Sequence, residues 1–195
     1  MNPTPVVLYG ESVRLEPLDP SHADQLLEAA QDDVIWQFMP IPRPATRADI
    51  VILIEKAWSA AAAGAEMPFA IIDAQTDRAV GSTRFLEIRR IDRGLEIGWT
   101  WLGTSAQRTP INTECKYLLL RHAFEDLGAI RVQLNTDGRN TRSLASIERI
   151  GGAKEGVLRK HRKMWDGVVR DSVYFSVLDT EWPEVKVRLE RLLKQ

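Results

Sequence analysis

The stretch Leu95-Glu96-Ile97-Gly98-Trp99-Thr100-Trp101, a short linker, and then Gln107-Arg108-Thr109-Pro110-Ile111-Asn112-Thr113 constrain the fold more than any other part of the chain. Alternation in the first half predicts a strand with Leu95, Ile97, Trp99 and Trp101 on one face and Glu96, Gly98 and Thr100 on the other. The second half predicts a helix start, capped by Thr109 with Pro110 at the first helical position. First-turn amides lack intrahelical partners and lie at the positive end of the helix dipole. A carboxylate strand running into such a helix can therefore hold an anionic group beside a potential general base.

The rest of the chain supplies a sheet and helices around that stretch. Val13 to Leu18 alternates as a strand, Asp19-Pro20 starts a first helix reaching about Gln31, and Thr46 with Asp49 forms a capping box for a second helix stopped by Gly64. Trp36 to Pro44 is a proline-punctuated loop carrying large apolar residues. Met67 to Asp73, Ala79 to Ile88 and Arg93 to Leu102 follow one another with short turns, which predicts an antiparallel meander. A helix from Pro110 to Leu127, a strand from Arg131 to Thr136 and a short helix from Thr141 to Ile150 come next. Two strands joined through Asp166-Gly167 and a last helix striped by Trp182, Val185, Leu189 and Leu192 complete the order. The expected fold is a single α+β (mixed α/β) domain over residues 1–195. Its central sheet is largely antiparallel with one local parallel pair, and helices cover both faces.

Composition narrows the function. With 26 basic and 27 acidic residues the net charge is -1, which does not point to an electrostatically held nucleic-acid binder. Cys115 is the only cysteine and the three histidines are scattered, so neither a disulfide framework nor a zinc motif is expected, and no metal is called for. The N-terminus lacks a basic patch followed by a long apolar run, and the longest apolar stretch is too short for a bilayer, so a cytoplasmic protein away from membranes is expected.

Several residues carry two readings each. Glu96 is either a partly desolvated base or a solvated carboxylate paired with Arg84 or Arg93. The Gln107 to Thr113 turn is either an anion site, with Arg108 and Asn112 adding donors, or an ordinary helix cap. Asn140 and Ser143 are cap residues by default; functionally, Ser143 could give a proton to a leaving thiolate while Asn140 holds an amide. Trp36, Phe38 and Met39 either plug the core or line a binding loop. Cys115 reads as a buried, inert thiol. The run Arg159-Lys160-His161-Arg162-Lys163 reads as a nucleic-acid patch, a solvated strand end, or a site for a phosphate or an acidic substrate.

Taken together, Leu95 to Trp99, the Gln107 to Asn112 loop, Ala123 to Val132, Asn140 through Ser143 to Gly151, Glu155 to Arg159 and Asp166 to Asp171 resemble the Gcn5-related N-acetyltransferase superfamily. The branch it is most similar to contains the ribosomal-protein-alanine N-acetyltransferases. The resemblance spans about Ser12 to Val177 and rests on the order and spacing of short, degenerate pieces. It implies a V-shaped opening between the Glu96 and Arg131 strands that takes acetyl-CoA. Trp99, Thr100 and Trp101 would pair with the pantetheine arm, while Gln107, Arg108, Thr109, Ile111, Asn112 and Thr113 would hold the pyrophosphate. Asn140 would lie beside the cofactor, and Trp36, Phe38 and Met39 would lie in the acceptor loop. Glu96 would act as base and Ser143 as acid in direct transfer of the acetyl group to a primary amine, a protein N-terminus or a small molecule. The chain departs from the family loop where Pro110 and Asn112 stand at its two small positions, which keeps a non-catalytic CoA-binding or protein-binding regulator open as the alternative. Because the family often pairs, a homodimer through the striped last helix is a further expectation.

Overall fold

The computed structural model describes residues 1–195. The strands are β1 (Leu8–Tyr9), β2 (Val13–Pro17), β3 (Met67–Asp73), β4 (Arg78–Arg89), β5 (Gly94–Leu102), β6 (Arg131–Asp137), β7 (Ala153–Lys163) and β8 (Val169–Leu178). The helices are α1 (Ala23–Ala29), α2 (Asp33–Trp36), α3 (Arg47–Ala62), α4 (Ile111–Arg121), α5 (Thr141–Arg149) and α6 (Trp182–Leu193). Eight strands form one sheet in the order β1-β2-β3-β4-β5-β6-β8-β7, and every neighbouring pair is antiparallel except β5 with β6.

Local chemistry sets most boundaries. Thr46 and Asp49 cap α3 reciprocally, and Gly64, at φ 74°, ends it in the left-handed conformation that glycine adopts without a Cβ penalty. Asp19 accepts from the Ser21 amide, but only a 3₁₀ turn forms over Pro20–His22 before α1 begins, so the first helix is shorter than its periodicity predicts. The helix expected from Pro110 to Leu127 is α4 continued by a π turn over His122–Asp126, where i→i+5 pairing inserts an extra residue. Two elements, β1 and α2, are too short to leave a periodic signal.

The sheet separates two cores. On one face Phe69, Phe85, Leu95, Ile97, Val132, Leu134, Phe175 and Val177 pack with Cys115, Leu118 and Leu119 of α4 and with Trp182, Val185 and Leu189 of α6. The apolar stripe of α6 is thus buried within the protomer. On the other face Ala70, Ile72, Ala79 and Trp101 pack with Leu26 of α1 and Ile50, Ile54 and Ala57 of α3. No helix is long and apolar enough to cross a membrane.

A cleft where two parallel strands part

β5 and β6 are paired only over Gly94↔Arg131, Leu95↔Val132 and Glu96↔Gln133. Beyond that point they diverge, and the β6-facing edge of β5 from Ile97 onward has no strand partner. The divergence opens a cleft of about 580 Å³ lined by β5, β6, the loop before α4, α5, the Phe38–Met39 loop and the β7–β8 hairpin.

Glu96 lies at the apex. Its carboxylate is 5% exposed and accepts from Gln133 Nε2 at 2.6 Å and Asn135 Nδ2 at 2.7 Å. Burial raises its pKa above the ordinary carboxylate value; the two amide donors and the positive charge of Arg162 oppose that rise. It is not the salt-bridged surface carboxylate that spacing alone allows. Arg84 pairs with Glu66 at 2.7 Å and lies over the Trp99 ring, and Arg93 donates to the Gly128 carbonyl. A carboxylate held this way can take up a proton closer to neutrality than a solvated one.

The strand does not keep the alternation expected of it. Against β4, Gly98 is opposite Arg84 but Trp101 is opposite Ser82, so one extra residue is inserted, with Trp99 at φ 50°. This β-bulge exchanges the faces of everything after it. Leu95 and Ile97 stay in the α4 core, whereas Trp99 and Trp101 pack on the α1/α3 side, the face that also carries Glu96. Thr100 instead turns toward α4, where its hydroxyl meets Thr83 Oγ1 at 2.7 Å and Lys116 Nζ at 2.6 Å. Thr100 therefore has its backbone, not its hydroxyl, to offer the cleft.

The loop before α4 is ordered by its own side chains. Gln107 Nε2 donates to the Leu102 carbonyl, and Gln107 Oε1 accepts from Arg142 at 2.6 Å. Thr109 Oγ1 accepts from the Ile111 amide at 3.3 Å, and the Glu114 amide reaches the Pro110 carbonyl. The amides of Asn112 and Thr113 have no close acceptor in the chain. Asn112 Nδ2 donates to Ser146 Oγ at 3.2 Å, and Arg108 adopts φ 62° without glycine's freedom. Proline removes one donor here, yet two amides and the Arg108 guanidinium stay available for an anion. This set fits a pyrophosphate.

The other expected residues divide. Ser143 and Asn140 line the cleft, Asn140 Oδ1 accepting from the Ser143 amide at 3.1 Å as the helix cap. Phe38 and Met39 line the opposite wall. Trp36 does not: it is 2% exposed, packs at a tilt of 46° against Trp101 with centroids 5.0 Å apart and donates to the Ala30 carbonyl. Ile111 belongs to the α4 core, and the Thr113 side chain is buried and occupied by Arg149 at 2.8 Å. Both side chains thus support the loop rather than line the cleft, while the Thr113 amide keeps no acceptor in the chain. Cys115 is buried, its thiol pushed up to about 11 by desolvation, as an inert core residue requires.

Residues that the sequence reading passed over complete the site: Gln133, Asn135, Lys116, Arg142, Arg149, Ser146 and Arg170. Arg142, Ser146, Arg149 and Arg170 fall within stretches that carry the family resemblance, and Gln133 and Asn135 show as polar positions alternating with Val132 and Leu134.

A sheet parted beside a buried carboxylate, with a helix start carrying free amides at its far end, can take an extended ligand next to that carboxylate. The Acetyltransferase (GNAT) domain family matches residues 12–153. The chain is 26% identical over 175 residues, 90% of its own length and 97% of the relative's, to the uncharacterized N-acetyltransferase p20 of Bacillus licheniformis. A GCN5-related N-acetyltransferase from Brucella melitensis shares its structure with a TM-score of 0.93 and 30% identity, covering 99% of this chain and 87% of that one. At 20% identity, Mycobacterium smegmatis RimJ in complex with CoA-disulfide shares the fold with a TM-score of 0.85, over 96% of this chain and 95% of that one. The chain belongs to the GNAT family and is an acetyl-CoA-dependent N-acetyltransferase.

Proposed function

We propose that the protein acetylates a primary amine by direct attack in a ternary complex, with Glu96 as base and Ser143 as acid. The observation that carries this reading is the buried, amide-held Glu96 carboxylate at the point where β5 and β6 separate, in one cleft with Ser143. Bound acetyl-CoA supplies the activated acyl group. The unpaired edge of β5 at Trp99, Thr100 and Trp101 suits an extended amide-bearing arm, which would add to it as a strand does. CoA in the RimJ complex supports the same use of the fold. Gln107, Arg108, Thr109 and Asn112, with the Thr113 amide, would take the pyrophosphate, and Asn140 would flank the arm. Phe38 and Met39 would contact the acceptor.

Glu96 would accept the proton that the amine sheds as its nitrogen bonds to the acyl carbon, and its raised pKa matches that task. The Ser143 hydroxyl would hand a proton to the departing sulfur. Thiol release from acetyl-CoA across an amine panel tests both roles. Glu96→Gln and Ser143→Ala are each expected to lower kcat by about 10²-fold or more while CoA affinity holds. Unchanged turnover in both variants removes both assignments.

A further inference from the structure

β7 carries a bulge of two extra residues. Leu158 is opposite Ser172, but the next aligned pair is Arg162 with Arg170, so Arg159, Lys160 and His161 face Asp171 alone. Lys160 takes φ 51° there, and its amide is held by Asp171 Oδ1 at 2.6 Å. The effect of the bulge is to set two guanidinium side chains directly across from each other, an arrangement that strands ordinarily avoid because like charges opposed in this way repel.

Neither guanidinium is bonded to a carboxylate. Arg170, 7% exposed, donates from Nη2 to Asn135 Oδ1 at 2.6 Å and from Nε to Ser172 Oγ at 2.9 Å, both uncharged acceptors. Arg162 is exposed, lines the cleft, and makes no hydrogen bond or ion pair. The nearby carboxylates are engaged elsewhere: Asp137 by Arg139, Asp171 by the Lys160 amide, and Glu96 by its two amide donors. A buried cation beside another cation, with Glu96 and Asp137 acting on it only through space and no carboxylate bonded to either guanidinium, leaves a place that a bound anion would fill.

Position tells which anion. The pyrophosphate end of the cleft has its own cation in Arg108, before α4. Arg170 instead connects to Glu96 through the single side chain of Asn135, by contacts of 2.6 and 2.7 Å, which puts the pair at the reacting end. We propose that Arg162 and Arg170 recognise a carboxylate or phosphate carried by the acceptor a few bonds from its amine. This rests on the reading of Glu96 as the base that faces that amine. It makes the substrate class acidic amines, such as amino acids or N-termini followed by an acidic residue, and disfavours polyamines.

The test uses matched acceptors with acetyl-CoA: glycine against glycinamide, and a peptide with aspartate second against one with asparagine second. The ratio of kcat/KM within each pair, compared between wild type, R162Q and R162K, cancels the intrinsic reactivity of the amines. Wild type is expected to favour the anionic member of at least one pair about tenfold more than R162Q does, with R162K intermediate. Which pair responds distinguishes a free α-carboxylate from a peptide side chain. Equal losses for charged and neutral members in R162Q mean a merely structural role and overturn the proposal. Identical ratios in wild type and R162Q, with transfer intact, overturn it while leaving the N-acetyltransferase reading standing. If wild type binds CoA by calorimetry but acetylates no member, the proposal falls together with the acceptor reading beneath it.

Discussion

Glu96 and Gln133 are the last residues paired before β5 and β6 part, and the Gln133 amide donates to the Glu96 carboxylate at 2.6 Å. The strand divergence and the state of the carboxylate are therefore one feature. Where pairing stops, Glu96 is already dry but its far side opens into the cleft.

Gln133→Leu should move the acidic limb of the kcat/KM profile. Burial raises the Glu96 pKa and the Gln133 bond opposes it, so losing the bond should push the limb up by about one pH unit. Glu96→Gln should abolish the limb. Because the folded pKa lies above the unfolded one, wild type loses stability as pH rises through the interval between them. Glu96→Gln should therefore gain relative to wild type over that interval in urea titrations; a constant difference across it would contradict the assigned shift.

Gly98→Ala should disturb the carboxylate from the strand side. A Cβ there would lie 2.8 Å from Leu86 Cδ2 and 3.1 Å from Glu96 Oε1. Repacking is expected to cost about 1 kcal/mol, and displacement of Glu96 should lower kcat on the order of tenfold. Thermal melts and steady-state kinetics on the same preparation separate the two effects.

Lys116→Met is expected to stabilise. Lys116 is 7% exposed, its ammonium meets only the Thr100 hydroxyl, and desolvation lowers its pKa. Wild type therefore gains stability as pH rises through the depressed folded value toward the ordinary value of 10.5. The variant should be more stable by about 1 kcal/mol at pH 7, with the difference shrinking in alkaline buffer. A less stable variant at neutral pH would show that the ammonium contributes more than its burial costs.

Trp36→Ala and Phe38→Ala, two residues apart, should behave oppositely. Trp36 packs against Trp101 and is almost fully enclosed, so its loss should cost about 3 kcal/mol or more. Phe38 is half-buried on the cleft wall, with the Arg139 guanidinium 5.7 Å from its ring centre. Its truncation should raise the acceptor KM while leaving the melting temperature within a few degrees of wild type. Similar melting losses in both would return Phe38 to the core.

Periodicity and capping determined the order of the longer elements, the meander, and the Thr46–Asp49 and Gly64 boundaries, because these depend on contacts within a few residues. The helix between β5 and β6 implied their parallel pairing, and only the short β1 and α2 left no signal. The same local signals placed Glu96 on a strand and Asn140 at a helix cap. Tertiary structure decided what those residues meet. The bulge that moves Trp99 and Trp101 onto the Glu96 face exists only in register with β4, so alternation within β5 could not reveal it. Gln133 and Asn135 are 37 and 39 residues from the carboxylate they hold. The Arg162–Arg170 pair arises from a bulge defined by a partner strand. Each is a non-local pairing, and its energy lies in desolvation and charge brought together by the sheet rather than in any run of neighbouring residues.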